Sequence, residues 1–236
     1  MDAVDMGAVE IGGVLPFTTV DYPGKLAAVL FLKGCPLRCA YCSNPHLLEP
    51  GAAPYDEDKV LNWLAERLGK LEAVVFSGGE ALMQEGAAGY VRRVKELGFL
   101  TGLHTNGFYP NKLKSTLGTL DWVGLDFKAT KDTYEKLTKS KTAYEKMMES
   151  LDALLISGKD FEVRTTADPR FVTKSDLTNI AELLASKGVR SFAVQKYQPH
   201  FESESAKTTE SERNQFFTDD ALRNKIDGMF ETVRWR

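Results

Sequence analysis

The sequence predicts an α/β protein: a single-domain partial barrel of six strand–helix units, (βα)6, with parallel strands. Short apolar runs typical of buried strands alternate with longer segments that carry apolar residues at helical spacing. Strands that alternate with helices form parallel sheets. Six units are fewer than the eight of a closed barrel, and a length of 236 residues suits one barrel domain.

The predicted strands share a short apolar core and occupy residues 27–32, 73–76, 99–104, 122–127, 161–166 and 191–197. The predicted helices share an amphipathic pattern and occupy residues 56–68, 87–97, 111–117, 142–157 and 174–187. Asp56 is a suitable N-cap for the first helix. Gly98 and Gly188 follow two of the helices at the position where glycine commonly ends a helix. Because parallel strands end at one edge of the sheet, polar residues after them are expected to form a common site.

One domain is predicted over residues 1–236, with its core at about 24–200 and a C-terminal appendage at 201–236. Residues 201–213 are rich in Ser, Glu and Thr and are predicted to form a loop. Residues 216–230 are predicted to form a helix, followed by a short tail at 232–235.

The overall composition excludes several classes of function. The formal net charge is −3 and no basic run stands out, so nucleic acid is not expected as a partner. No apolar run is long enough to span a bilayer, so a membrane is not expected either. The N-terminus lacks the basic start and apolar stretch of a secretory signal, and a cytoplasmic location is expected.

The three cysteines of the chain, Cys35, Cys39 and Cys42, form a C-x3-C-x2-C motif directly after the first predicted strand. An odd number in one tight cluster is a poor disulfide framework. A structural zinc site normally uses four protein ligands, whereas three thiolates on a [4Fe–4S] cluster leave one iron without a protein ligand. Zinc completed by His46 and three unrelated buried thiols are the alternatives.

The cysteine motif, followed by Gly78-Gly79-Glu80 after the second strand, resembles the signature of the radical S-adenosylmethionine (SAM) superfamily. The resemblance implies that the three cysteines bind a [4Fe–4S] cluster, whose free iron is chelated by the amino and carboxylate groups of SAM. It further implies reductive cleavage of SAM to methionine and a 5′-deoxyadenosyl radical. The three cysteines and Lys128 are the predicted catalytic residues.

The resemblance also implies a set of SAM-binding residues in the cysteine loop and at the ends of the predicted strands. They are Tyr41, Gly78, Gly79, Glu80, Thr105, Asn106, Asp126, Lys128 and Arg164. Glu80 is expected to meet the amino group, Tyr41 to border the adenine, and Lys128 to pair with the SAM carboxylate. The alternatives are a helix-starting glutamate, a buried core tyrosine and an ordinary surface ion pair.

Two histidines bear on this site. His104 stands directly before Thr105, where activating enzymes of the pyruvate formate-lyase type carry an aspartate that we assign to a cation site. A neutral imidazole is a poor ligand for a hard monovalent cation. His200 either lines the cavity or is a plain loop residue.

Residues 17–29 and the Ser43-Asn44-Pro45 run resemble activating proteins of anaerobic ribonucleoside-triphosphate reductase. The resemblance implies hydrogen abstraction from a glycine Cα of that partner enzyme, with flavodoxin or ferredoxin as electron donor. Three alternatives stay open. They are an activase of a pyruvate formate-lyase type enzyme, a small-molecule enzyme similar to 7-carboxy-7-deazaguanine synthase, and a metal-binding module without catalysis.

Overall fold

One sheet of eight strands forms the frame of the protein in the computed structural model, which describes residues 8–199 and 208–236. The strands are hydrogen-bonded in chain order. They are β1 (Ile11–Thr18), β2 (Ala27–Leu32), β3 (Ala73–Gly78), β4 (Leu100–Thr105), β5 (Trp122–Asp126), β6 (Asp160–Ala167), β7 (Ser191–Lys196) and β8 (Thr232–Trp235). β1 is antiparallel to β2, and all later neighbours are parallel. Within the described residues β8 does not pair with β1, so the barrel is partial.

Eight α-helices accompany the sheet in the described part of the chain. They are α1 (Glu57–Ala65), α2 (Ala87–Glu96), α3 (Pro110–Thr116), α4 (Lys131–Thr138), α5 (Ala143–Ser157), α6 (Lys174–Ser186), α7 (Glu210–Asn214) and α8 (Asp220–Asp227). The Asp56 carboxylate accepts a hydrogen bond from Lys59 N at 2.9 Å, which confirms the predicted cap of α1. Gly98 and Gly188 have φ of +105° and +88°, as expected after α2 and α6. No helix in residues 8–199 or 208–236 is long and apolar enough to cross a membrane.

The sheet separates two apolar layers. The larger lies between the outer face of the sheet and the helices, and it includes Phe76 and Leu125. The smaller lies inside the barrel near the start of the strands, where the Tyr22 and Trp122 rings are 5.5 Å apart between centroids. This inner layer fills one end of the barrel, so any polar cavity must lie at the other end, where the strands finish.

The six predicted strands are confirmed as β2 to β7, with ends that differ by at most two residues. The pairing register of these strands brings predicted site residues next to one another. Asp126 of β5 lies directly opposite Arg164 of β6. Leu32, the last residue of β2, lies opposite Gly78 of β3, which brings the cysteine loop beside the glycine segment.

Four elements, β1, α4, α7 and β8, were not predicted. β1 was missed because two glycines and a proline interrupt its apolar pattern, and α4 because it lies in the short interval before α5. The predicted tail at 232–235 is strand β8, since it adds to the open edge of β7. The loop prediction for residues 201–213 is wrong at α7, and residues 201–207 of it lie outside the described residues. The helix predicted at 216–230 is shortened to α8, because the Asp219 side chain caps it by accepting from Leu222 N.

Candidate functional site

The cysteine loop follows β2 and is held by main-chain hydrogen bonds on two sides. Cys35 N donates to Leu48 O at 2.9 Å. Arg38 N and Ala40 N donate to the last carbonyls of α4, at 3.0 and 3.1 Å. All three cysteines are free thiols. Because hydrogen bonds anchor both sides of the loop, its thiols are held at defined positions and not on a flexible loop.

A cavity of about 400 Å³ lies at the carboxyl ends of the strands. Of the predicted site residues, all but Glu80 line it. They are Cys35, Cys39, Tyr41, Cys42, Gly78, Gly79, Thr105, Asn106, Asp126, Lys128 and Arg164. Sequence reasoning missed Asp21, Phe31, Ser77 and Thr166, which also line the cavity. Asp21 belongs to the 17–29 run before β2, and the similarity of that run to activating proteins did not indicate which of its residues line the cavity.

Gly78 and Gly79 are required where β3 meets the cysteine loop. Gly78 has a φ of +121°, and a Cβ there would lie 2.1 Å from Leu32 O. A Cβ at Gly79 would lie 2.4 Å from Gly34 O and 3.0 Å from the Cβ of Cys35. The two glycines therefore allow the close approach of β3 to the backbone that carries Cys35.

Glu80 lies behind the cavity wall and is 1% exposed. Its carboxylate accepts hydrogen bonds from Thr105 Oγ1 at 2.8 Å, Asn106 N at 2.7 Å and Leu82 N at 3.2 Å. Burial raises the pKa of Glu80 to about 7, against the lowering effect of these donors. In this structure the carboxylate holds the turn after β4, a role that the sequence motif did not indicate.

The turn after β4 directs a side-chain amide at a cysteine. Asn106 Oδ1 accepts from Phe108 N at 3.0 Å, and Asn106 Nδ2 lies 3.7 Å from the Sγ of Cys35. Gly107 has a φ of +74°, and its N–H donates to Thr105 Oγ1 at 3.0 Å. The turn is therefore built so that Asn106 faces the cysteine loop.

A buried charged cluster forms the opposite wall of the cavity. Asp126 Oδ1 accepts from Arg164 Nε and Nη2 at 3.0 and 2.7 Å, and Asp126 Oδ2 lies 3.3 Å from Lys128 Nζ. The Arg164 and Lys128 side chains are only 6% and 10% exposed. This burial is inconsistent with an ordinary surface ion pair.

Charges within this cluster determine its protonation. Burial raises the pKa of Asp126, but Arg164 and Lys128 outweigh it and bring the value to about 2. Burial lowers the pKa of Lys128, yet Tyr41, Asp126 and Cys39 hold it well above its usual value. The Lys128 ammonium also lies 5.8 Å from the centroid of the Tyr41 ring. The cavity therefore offers a fixed cation beside an aromatic face.

His104 lines the cavity and is tied to the segment before β2. Its Nε2 lies 2.9 Å from Asp21 O and donates to that carbonyl. Removal from water, together with the Arg164 guanidinium, lowers the pKa of His104 to about 3. The imidazole is therefore neutral at physiological pH.

The donor set decides which inorganic group the site can accept. His46 is exposed and is not among the residues that line the cavity, while His200 lies outside the described residues. In residues 8–199 and 208–236, no group of three His, Cys, Asp or Glu side chains is placed to hold a metal ion. Three free thiols around one cavity suit an iron–sulfur cluster that keeps one iron accessible. The structure therefore defines the class of the protein as a partial α/β barrel whose cavity suits an iron–sulfur cluster held by three thiols.

Comparison with known proteins agrees with this class. The family model of the radical SAM superfamily matches residues 29–184. A protein of Methanocaldococcus jannaschii named as a glycyl-radical enzyme activating enzyme is 27% identical over 94% of this chain and 98% of its own length. The pyruvate formate-lyase-activating enzyme of Clostridium pasteurianum is 32% identical over 56% of this chain and 59% of its own.

A solved structure has the same fold over nearly the whole chain. The structure of QueE from Escherichia coli is similar with a TM-score of 0.56 at 15% identity, and covers 97% of this chain and 93% of its own. The chain belongs to the radical SAM superfamily. The cofactors of that family are a [4Fe–4S] cluster and SAM.

Proposed function

We propose that this protein is an activating enzyme that forms a glycyl radical on a partner enzyme. The observation that carries the proposal is the convergence of three free thiols and a buried Lys128–Asp126–Arg164 cluster on one cavity. The relative from M. jannaschii, which matches over nearly its full length, supports the same activity.

In this proposal Cys35, Cys39 and Cys42 hold the [4Fe–4S] cluster. When bound and reduced by an external one-electron donor, the cluster would supply the single electron that cleaves SAM to methionine and a 5′-deoxyadenosyl radical, and that radical would take a hydrogen atom from a glycine Cα of the partner. Lys128 meets the SAM carboxylate, because its ammonium is charged and fixed by Asp126. Tyr41 borders the adenine, since its ring lines the cavity beside this cation.

The remaining predicted contacts stay proposals, and only Glu80 takes a role other than its expected contact with the SAM amino group. Gly78 and Gly79 offer main-chain atoms to the SAM amino group, because neither carries a side chain that would cover them. Thr105 and Asn106 border the same end of the cavity. Arg164 acts through Asp126, whose carboxylate it orients with two hydrogen bonds. Glu80 supports this site from behind by holding Asn106 N.

We further propose anaerobic ribonucleoside-triphosphate reductase as the partner and flavodoxin or ferredoxin as the electron donor. The first proposal rests on the similarity of residues 17–29 and of Ser43-Asn44-Pro45 to activating proteins of that reductase. Part of this run has a structural role, since Tyr22 packs on Trp122 inside the barrel. Asp21 of the same run lines the cavity, so the run also contributes to the surroundings proposed for the substrate.

The experiment is an anaerobic assay with reconstituted protein, SAM, a low-potential reductant and the purified reductase. We expect a glycine-centred EPR doublet, with 5′-deoxyadenosine formed in proportion to it. A reductase whose radical glycine is replaced by alanine is the control and should give no doublet. 5′-Deoxyadenosine without a protein radical on any glycyl-radical enzyme would favour a small-molecule substrate, and no SAM cleavage would leave only a metal-binding module. Activation of a pyruvate formate-lyase in place of the reductase would correct the partner alone.

A further inference from the structure

Cys35 differs from the other two cysteines in its surroundings. It is 8% exposed, whereas Cys39 and Cys42 are only partly buried. Asn106, itself 6% exposed, places Nδ2 3.7 Å from the Sγ of Cys35. The Asn106 amide is thus a side-chain hydrogen-bond donor to a cysteine sulfur. The contact is within the range for an N–H group that donates to sulfur.

The orientation of the Asn106 amide follows from its other contact. Phe108 N donates to Oδ1 at 3.0 Å, so the oxygen of the amide is occupied by a backbone donor. The NH₂ group must then face Cys35, since exchanging the two ends would set two donors against each other. The direction of the N–H···S contact is thus determined by the turn.

The position of Asn106 is held from behind by Glu80. The buried carboxylate accepts from Asn106 N at 2.7 Å and from Thr105 Oγ1 at 2.8 Å. Ser150 Oγ donates to Gly107 O at 2.7 Å and fixes the far side of the turn. Each hydrogen bond removes freedom from the turn, so the amide is preorganised toward the sulfur.

We propose that Asn106 is a positioning residue that donates a hydrogen bond to the Cys35 thiolate and thereby raises the reduction potential of the cluster. The inference rests on the proposed function, because it requires the cluster to be bound by Cys35. Reduction adds negative charge that is shared with the thiolate sulfurs, and a hydrogen-bond donor stabilises that charge. Hydrogen bonds to sulfur are one of the means by which proteins set cluster potentials.

The test is an EPR-monitored redox titration of the reconstituted Asn106→Ser variant without SAM. The serine hydroxyl can still accept from Phe108 N, but it is too short to reach Cys35. We expect the ratio of reduced to oxidised cluster at a given potential to fall about tenfold, which for a one-electron couple is a shift of about 59 mV to more negative potential. Asn111→Ser, at an exposed position of α3, is the matched control and should titrate like the wild type.

A second variant, Asn106→Asp, keeps the size of the side chain and the acceptor for Phe108 N while it removes the donor. We expect its potential to fall at least as far as that of Asn106→Ser. An unchanged potential in Asn106→Ser with full iron and sulfide content would overturn the inference. Loss of the cluster from both variants, with the fold retained by circular dichroism, would also overturn it and assign Asn106 to cluster assembly.

Failure of this inference is distinguishable from failure of the proposed function. A wild-type protein that takes up no iron and sulfide would remove the cluster site itself. A wild-type protein that binds the cluster and activates its partner, but whose potential does not respond at Asn106, would remove only the role of the amide.

Discussion

His104 carries no charge in the folded protein, because removal from water and the Arg164 guanidinium lower its pKa to about 3. An unfolded histidine has a pKa of about 6.5. As the pH falls, the unfolded state therefore takes up the proton before the folded state does. The contribution of this difference to the free energy of unfolding is fully present above pH 6.5 and is lost as the pH falls toward 3.

We predict that His104→Gln removes this pH dependence. Between pH 7 and pH 5 the wild type should lose about 2 kcal/mol more of its free energy of unfolding than the variant. The glutamine amide can still donate to Asp21 O, so the structural contact is retained. Urea unfolding of the cluster-free protein at both pH values measures the difference. Equal losses in the two proteins would show that His104 is protonated alike in both states.

Helix α4 gives the cysteine loop its fixed position, since its last two carbonyls accept from Arg38 N and Ala40 N. The helix ends at Lys139, whose φ of +59° makes it the one non-glycine residue of the described chain in the left-handed region. Side chains adopt this conformation at a cost, and glycine does not.

We predict that Lys139→Gly stabilises the protein by about 0.5–1 kcal/mol, because the strain at the end of α4 is relieved. Lys141→Gly, two residues further along at an exposed position without positive φ, is the matched control and should be neutral or destabilising. Thermal unfolding of the cluster-free proteins compares them. A loss of stability in Lys139→Gly equal to that of the control would contradict the role assigned to the backbone conformation.

At the scale of the whole molecule, the C-terminal strand β8 pairs with β7 and also supplies counter-ions for a buried carboxylate of the sheet. Glu162 is 1% exposed on β6 and is paired with Arg234 Nη1 at 2.5 Å and Arg236 Nη2 at 2.8 Å. A carboxylate at this depth needs its counter-ions, because an unpaired buried charge is strongly unfavourable. The last five residues therefore stabilise a residue of the central sheet.

We predict that deletion of residues 232–236 lowers the free energy of unfolding by at least about 3 kcal/mol. Adding Glu162→Gln to the truncated protein should recover part of this loss, since the unpaired charge is then removed. Urea unfolding followed by far-UV circular dichroism gives both values. An unchanged unfolding midpoint after truncation would show that the C-terminal segment does not contribute to the free energy of unfolding of the barrel.

The parts of the fold that were predictable are those with strong local signals. Buried strands such as 27–32 are continuous apolar runs, and the cap of α1 is a local contact of Asp56. β8 was not predictable as a strand, because four residues acquire strand structure only by pairing with the open edge of β7.

The candidate site divides in the same way. The cysteine motif and the glycines can be recognised from a short stretch of sequence, because thiol chemistry and backbone freedom depend on residue type. Two of the three hydrogen-bond partners of Glu80 are 25 and 26 residues away, and Asp21 is 83 residues from His104. No pattern within a short window could indicate these contacts.

The amino-acid sequence by itself determined the class of fold, the three thiolates and the edge of the sheet at which they lie, since each depends on local pattern and residue chemistry. Only the tertiary structure decided that Glu80 supports the wall of the cavity, that Asn106 faces Cys35 and that Asp126 is bound by two buried cations. The physical reason is that hydrogen-bond partners, burial and pKa arise from groups brought together across the barrel, which are distant along the chain.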